Sequence, residues 1–396
     1  MTRFMPWLTV VAALAATGCS NGPVSTGSGT GGTGGSGGSA TGASGTIVLP
    51  NGGSGVAVIH IEDASGNLLT TPVLTNYSAA FPVTLVAEPP DFAQGLVGGG
   101  ATVQEFDTAT TSPSLAGSVQ VYSSGSLTAL SVDADSSFSF LQMTVFDTYD
   151  FLCFTGGLHQ TVNANGVADL TLLLGAQQFV SFASSADGTL GAEMGSAGLA
   201  VWGFTAESSP HEIIPAGPFL IAPNLTSSIE GRGAMAINPA TDAQVLAGAG
   251  DELAVYSGFK SNFPSPYGDT VSIPNSAAIA SVAFGPEGNY AIVATSAGLY
   301  TATISDTGSA ISLTLSNTAA DPTYKGGDGN TYAVDHAQSI AITEDGKFLV
   351  ALTDQPSQTS GTLVILPVSP AGAVGPVGAT VPDLLATEGV DSVFAH

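Results

Sequence analysis

Along most of the chain the apolar residues fall in short runs of Val, Leu, Ile, Ala and Phe. Gly, Pro, Asp and Glu break the runs, and nothing sustains the 3.6-residue period of an amphipathic helix. A run that is apolar at successive positions and bounded by turn residues fits a strand covered on both faces, so the pattern predicts an all-β chain. The runs also recur in order. Residues 339–346 (SIAITEDG) lead into 347–352 (KFLVAL) and then 361–368 (GTLVILPV). One unit earlier, 281–288 (SVAFGPEG) leads into 289–294 (NYAIVA) and 298–304 (GLYTATI). The same grammar returns at 234–239 with 244–248 and 252–256, at 179–188 with 199–204, and at 129–135 with 138–145.

Each unit reads as a small-then-apolar strand, an acidic turn, a second apolar strand, a third strand and a less regular fourth. The turn residues Asp135, Asp187, Asp242, Glu287 and Asp345 lie 45 to 58 residues apart, a period that suits the four-stranded blades of a β-propeller. An Asp before Gly supplies a side-chain acceptor and then a residue free to take positive φ, which is what a tight turn needs. Aligned on those turns, Ala129, Ser281 and Ser339 share one column, with Ala234 and Ser392 falling there once local length differences are allowed. Small side chains in that column are expected where first strands converge on a channel.

The form Ser-Ile-Ala-Ile-Thr-Glu-Asp-Gly-Lys-Phe-Leu-Val-Ala resembles the YVTN-type or lactonase-like seven-bladed β-propellers, seen also in bacterial surface lipoproteins. The resemblance is clear over 281–367, weaker over 129–274 and faint before that. It implies a fold and says little about chemistry. Residues 83–122 supply one degenerate blade, and five more start near Ala129, Phe179, Ala234, Ser281 and Ser339. The fragment 390–396 reads as a lone first strand, and 46–49, 56–61 and 68–74 read as the other three. Pairing them gives a seventh, composite blade and leaves no open sheet edge.

Ahead of this domain stand Arg3, the apolar run 5–16 and Ala16-Thr17-Gly18-Cys19, the plan of a secretory signal. The run is shorter than the roughly 20 residues that span a bilayer. With Cys19 at the cut position it resembles the lipobox of bacterial lipoproteins, which implies a signal peptide over 1–18 and a lipid-bearing (palmitate) Cys19 as the membrane anchor. Ser20 is not the aspartate that retains such proteins in the inner membrane, so the resemblance points to the outer membrane. Residues 19–45 form a Gly/Ser/Thr tether without charge, with an r.m.s. reach on the order of 28 Å. The propeller is expected over 46–396.

Charge narrows the partners. Against 31 Asp plus Glu stand only five Lys plus Arg, and Arg3 leaves with the signal, so Arg232, Lys260, Lys325 and Lys347 are the remaining cations. Such a surface cannot neutralise a phosphate backbone, which strongly disfavours nucleic acid, heparin-like and phosphosugar ligands and fits an extracellular, monomeric protein. With Cys19 lipidated, Cys153 has no partner for an internal disulfide and sits in an apolar run, the setting of an inert thiol.

Candidate chemistry is sparse. His60, His159, His211, His336 and His396 form no metal-ligand spacing. Asp335-His336 and Glu230-Gly-Arg232 both lie just before a first strand, where loops open onto the channel mouth. If those loops converge they offer a general base beside a carbonyl-polarising cation, the set a lactonase-like hydrolase wants. Asp328, Asn330 and Asp335, and separately Asp133 and Asp135, place oxygens at alternate positions as calcium loops do, though tight turns explain both. No other cofactor is implied. The Gly-x-Ser-x-Gly match at 34–38 lies in the tether, with neither a strand nor a helix to make a nucleophile elbow. Three functions follow: a binding module for a protein, glycan or small ligand, a lactonase-like hydrolase, and a structural envelope protein.

Overall fold

A strand with both faces covered needs neighbours on both sides, and the structure supplies them by stacking sheets. The computed structural model describes residues 45–87, 94–107, 114–120, 126–132, 138–145, 148–155, 167–168, 179–185, 190–195, 198–206, 213–222, 234–241, 243–259, 267–317, 322–335, 337–353, 360–385 and 394–395. Among them the secondary structure is all strand apart from one 3-10 turn at Pro274–Ser276.

The chain opens with β1 (Thr46–Pro50), β2 (Gly55–Glu62) and β3 (Leu68–Ser78). Next come β4 (Leu85–Ala87), β5 (Gln94–Gly99), β6 (Thr102–Asp107) and β7 (Ser114–Gln120), then β8 (Ser126–Val132), β9 (Phe138–Val145), β10 (Thr148–Thr155) and β11 (Val167–Ala168). β12 (Phe179–Ser184), β13 (Leu190–Gly195), β14 (Gly198–Ala206) and β15 (Ile213–Ala222) precede β16 (Ala234–Ile237), β17 (Val245–Ala249), β18 (Glu252–Ser257) and β19 (Tyr267–Ser272). Then follow β20 (Ile279–Phe284), β21 (Tyr290–Thr295), β22 (Gly298–Asp306) and β23 (Ile311–Asn317), a small hairpin of β24 (Thr323–Lys325) and β25 (Thr331–Ala333), and β26 (Ala337–Ile342), β27 (Phe348–Thr353), β28 (Gly361–Pro367) and β29 (Ala379–Leu384). The last strand is β30 (Phe394–Ala395).

Each group of four forms an antiparallel sheet in chain order, and the first sheet takes the order β3-β2-β1-β30. We number them sheet 1 (β1–β3 with β30), sheet 2 (β4–β7), sheet 3 (β8–β11), sheet 4 (β12–β15), sheet 5 (β16–β19), sheet 6 (β20–β23) and sheet 7 (β26–β29). In sheet 1, Ile47 pairs with Ala395 and Val48 with Phe394. The units delimited by the sequence repeats therefore each coincide with one sheet.

The cores lie between sheets. In β21, Ala291 and Val293 pack with Leu246, Leu253 and Val255 of sheet 5, whereas Tyr290, Ile292 and Ala294 pack with Leu349, Ala351, Val364 and Leu366 of sheet 7. Alternate side chains of one strand thus enter two different cores, which is why every residue of β21 and β27 is buried and why their sequences read as unbroken apolar runs. Each fully buried Val, Leu or Ile contributes about 1.5–3 kcal/mol. Sheet 1 follows the same rule: Ile47, Leu49 and Ile59 pack with Val350, Leu363 and Ile365 of sheet 7, and Val48, Val56 and Val58 with Val86 and Val97 of sheet 2 and with Val83 just before it. The outermost strands are covered less. β19 alternates half-buried and exposed positions. Several outermost strands carry proline: Pro72 in β3, Pro215 and Pro218 in β15, and Pro382 in β29.

First strands lie side by side. β4 neighbours β8, β8 neighbours β12, and the series continues through β16, β20 and β26 to β30, while β1 lies against β4. In β8, β12, β20 and β26 the pairing with the second strand skips one residue at the same place, between Leu127 and Ala129, Phe179 and Ser181, Ile279 and Ser281, and Ala337 and Ser339. The residue after each bulge is small. This is the column read from Ala129, Ser281 and Ser339, to which the structure adds Ser181. Ala234 occupies the same register in β16, opposite Gly248, and Ser392 lies outside the described residues. The Ile340 N–H donates to Ser281 Oγ at 3.1 Å, so this serine ties the first strands of sheets 6 and 7 together.

The two ends of the stack differ. At the turn end, Asp345 Oδ1 accepts from the Thr343 hydroxyl (2.8 Å) and the Lys347 N–H (3.0 Å), and Gly346 takes φ +72°. Gly288 takes φ +69° in the matching turn of sheet 6. Asp135, Asp187 and Asp242 lie outside the described residues. Thr46 is at the turn end too, because β1 runs antiparallel to β30, and the β2–β3 turn brings Gly66 against the Lys347 ammonium. The opposite end carries the connections from one sheet to the next.

Candidate functional site

One connection has structure of its own. Between sheets 6 and 7 the chain forms the β24–β25 hairpin, pairing Thr323 with Ala333, Tyr324 with Tyr332 and Lys325 with Thr331. Its sequence, Thr-Tyr-Lys, Gly-Gly-Asp-Gly-Asn and Thr-Tyr-Ala, makes this the expected outcome: a Gly-rich turn between two short β-prone segments. Gly329 takes φ +81°, and the tip closes through Gly326 N–H to Asn330 O (3.0 Å).

The side chains at the tip hold one another. Asp328 Oδ1 accepts from the Asn330 N–H (3.0 Å), and Oδ2 accepts from Asn330 Nδ2 (2.7 Å) and from the Tyr332 hydroxyl. The Tyr332 hydroxyl, followed by the Asn330 backbone, holds the Asp328 carboxyl below its ordinary pKa, so Asp328 is an anion at neutral and mildly acidic pH. An isolated two-stranded hairpin is marginal in water, and here the base supplies the anchorage. Tyr324 is buried, and its hydroxyl is hydrogen-bonded to that of Thr353 at 2.7 Å. The Val334 N–H donates to Pro322 O at 2.9 Å. The half-exposed Tyr332 ring rests on Tyr324, with centroids 5.8 Å apart and planes inclined by 34°.

Strain gathers at this end as well. Asn275, Ser276 and Asp383 are the non-glycine residues with positive φ among the described ones, at 60°, 52° and 62°. Asn275 and Ser276 are exposed in the connection from sheet 5 to sheet 6, and Asp383 lies against Gly327 of the hairpin, with the Ser360 hydroxyl donating to it at 3.3 Å. Such conformations cost on the order of 1–3 kcal/mol each.

The residues singled out from the sequence fall as follows. Asp335 is half-buried between the hairpin and β26, directly after the hairpin base. His336, Glu230 and Arg232 lie outside the described residues, as do Cys19 and the calcium candidates Asp133 and Asp135. Asp328 and Asn330 are bonded to each other in the turn, and among the described residues no three His, Cys, Asp or Glu side chains gather closely enough to hold a metal ion. Of the described cations, Lys325 is exposed on the hairpin and Lys347 is ion-paired with Asp345 at the turn end. Tyr324, Tyr332 and Asp383 had not stood out in the sequence. The tyrosines flanking a Gly-rich turn were the available signal.

Stacked four-stranded sheets with neighbouring first strands define a β-propeller, and the likenesses to solved structures agree. A functionally unknown protein from Desulfotomaculum acetoxidans superposes with a TM-score of 0.61 at 11% identity, over 89% of this chain and 98% of its own. The periplasmic gluconolactonase PpgL of Pseudomonas aeruginosa gives 0.60 at 12%, over 85% and 96%. A candidate 6-phosphogluconolactonase from Bacteroides fragilis gives 0.61 at 12%, over 87% and 97%. No family model and no curated protein matches the sequence. At these identities the likeness concerns the fold alone.

Proposed function

We propose that this chain is a lipid-anchored β-propeller that binds a ligand through its connection end. The observation that carries the reading is the β24–β25 hairpin: it belongs to none of the four-stranded sheets, yet it is fixed to them by Tyr324 and Thr353 and presents an ordered polar tip. Loops held rigid on a scaffold are where binding residues concentrate. The seven four-stranded sheets serve as seven blades of one ring, sealed in sheet 1. The pairing of β1 with β30 and the contacts of β30 with β26 and of β1 with β4 support that closure. Cys19 carries the anchor in the outer membrane, and residues 20–45 let the domain stand clear of the headgroups.

Two measurements test the proposal. Metabolic labelling with a palmitate analogue gives a labelled protein that a Cys19→Ala substitution abolishes, and an unlabelled wild type removes the anchor. Array screening of the secreted chain against glycans, metabolites and envelope proteins returns a ligand that competes with substitutions at the connection end. A clean miss across all three classes removes the binding module.

The likeness to a gluconolactonase supports a second reading, lactone hydrolysis by Asp335, His336, Glu230 and Arg232 at the channel mouth. A lactone panel run on the wild type and on His336→Ala decides it. Turnover lost in the variant supports hydrolysis, and no turnover by either removes it.

A further inference from the structure

The tip of the β24–β25 hairpin brings together, on an exposed turn, an aromatic ring held in place, a carboxylate and a primary amide. We infer that this tip is a subsite for a neutral, extended saccharide, with Tyr332 as the platform and Asp328 and Asn330 as the polar contacts. The inference rests on the binding reading and names the ligand class for it.

A pyranose presents a face of C–H groups and a rim of hydroxyls. An aromatic face is negative and attracts the weakly positive C–H groups, and the rim needs paired acceptors and donors. Tyr332 is half-exposed, and its ring is buttressed by Tyr324, whose hydroxyl is tied to Thr353. Asn330 spends one amide hydrogen on Asp328, so its inventory still includes a second N–H and a carbonyl oxygen, a pair that matches two adjacent sugar hydroxyls. Asp328 Oδ1 accepts one backbone N–H within the turn and retains a lone pair for a hydroxyl donor, which a charged acceptor binds more strongly than a neutral one. Because the ring and the carboxylate are already fixed by bonds within the hairpin, little side-chain freedom is lost on binding.

Charge selects among saccharides. Asp328 and Asp383 lie on or beside the hairpin, and Lys325 is the cation the hairpin carries. A uronic-acid or sulfated polymer would meet mostly like charge there, whereas a neutral glycan is indifferent to it. The exposed setting favours a chain over a single sugar. Thr323, Lys325, Asp328, Asn330 and Thr331 are all open to solvent, so a polymer can lie along the hairpin without entering the channel.

The test is affinity electrophoresis and array binding of the full secreted chain. Neutral polymers (dextran, laminarin, xylan) are set against polygalacturonate and heparin. The expected result is retardation by at least one neutral polymer and by neither anionic one. Tyr332→Ala and Asn330→Ala each weaken that binding by about tenfold, whereas Tyr332→Phe, which keeps the ring, changes it by less than about threefold. Unchanged thermal midpoints for Asn330→Ala and Tyr332→Phe separate binding from folding. Neutral-polymer binding that survives both Tyr332→Ala and Asn330→Ala overturns the hairpin subsite and leaves the binding module standing. Binding confined to the anionic polymers, or a ligand found only among metabolites or proteins, overturns the saccharide class. No ligand in any screen overturns both readings.

Discussion

Replacing Asp306 tests how neighbouring sheets are joined at the turn end. Asp306 closes β22 of sheet 6, and its carboxylate gathers donors that belong largely to sheet 5. Oδ2 accepts from Gln244 Nε2 (2.9 Å) and the Ser257 hydroxyl, and Oδ1 from the Tyr267 hydroxyl (2.9 Å) and the Gly308 N–H (2.8 Å). Gln244 and Ser257 are buried, at 5% and 4% exposure. Gln244 Oε1 in turn accepts from buried Asn238, whose Nδ2 also reaches Gly288 O of sheet 6 at 3.0 Å. In Asp306→Ala the Tyr267 hydroxyl and the Gly308 N–H turn to water at little cost. The Gln244 amide and the Ser257 hydroxyl lose their acceptor, at about 1–3 kcal/mol apiece, so the expected loss is about 2–6 kcal/mol. Asp306→Asn keeps one acceptor oxygen and loses roughly half as much.

Urea unfolding at pH 7, followed by tyrosine and tryptophan fluorescence, reads the difference. Burial raises the Asp306 pKa, but the hydrogen bonds, led by Ser257, outweigh it and hold the group below the usual carboxylate range. A carboxyl depressed on folding stabilises the protein above its unfolded pKa of about 3.9, and that contribution drains away as pH falls through the lower folded value. The gap between wild type and Asp306→Ala therefore stays constant from pH 7 to about pH 5 and narrows below about pH 4. A gap under about 0.5 kcal/mol at pH 7 would refute the argument that these donors depend on this acceptor.

Three further outcomes are expected. Ile59→Ala, at the fully buried seam between sheets 1 and 7, costs about 2–5 kcal/mol in the same unfolding assay, whereas Val73→Ala, at 53% exposure on β3, stays within about 0.5 kcal/mol. Gly288→Ala puts a methyl 2.1 Å from Asn238 Oδ1 at a φ of +69°, so it lowers stability by more than about 2 kcal/mol, visible as a fall in thermal midpoint. Truncation after Leu385 removes β30, exposes the edge of β1 and yields concentration-dependent association in light scattering. A monomer as stable as the full chain would count against closure.

Strands covered on both faces announce themselves. Residues 290–295 and 348–353 are apolar at nearly every position because each side of the strand faces another sheet, so the blade repeat was legible from the pattern alone. The Asp-Gly turn at 345–346 was legible for the same local reason that it folds. The bulges were not, since one skipped residue such as Gln338 merely blurs a period of two; the small residue that follows was the trace they left. The hairpin at 323–333 escaped because its strands are too short and too polar to register as core. The pairing of Tyr324 with Tyr332 becomes meaningful only once Thr353, far along the chain, is seen to hold it. Of the proposed catalytic set the structure locates Asp335, so its convergence with the others rests on the experiments above.

The prolines of the outermost strands have a consequence for solubility. Exposed strand margins are commonly guarded by lysine, which this chain almost lacks, and a proline that offers no N–H does the same work without charge. Lysine-based protection depends on ionic strength, and repulsion between acidic molecules vanishes near the isoelectric point of about 4.1. A missing hydrogen-bond donor neither titrates nor is screened by salt. Whatever protection these prolines give β3, β15 and β29 is therefore the same in acid and in brine.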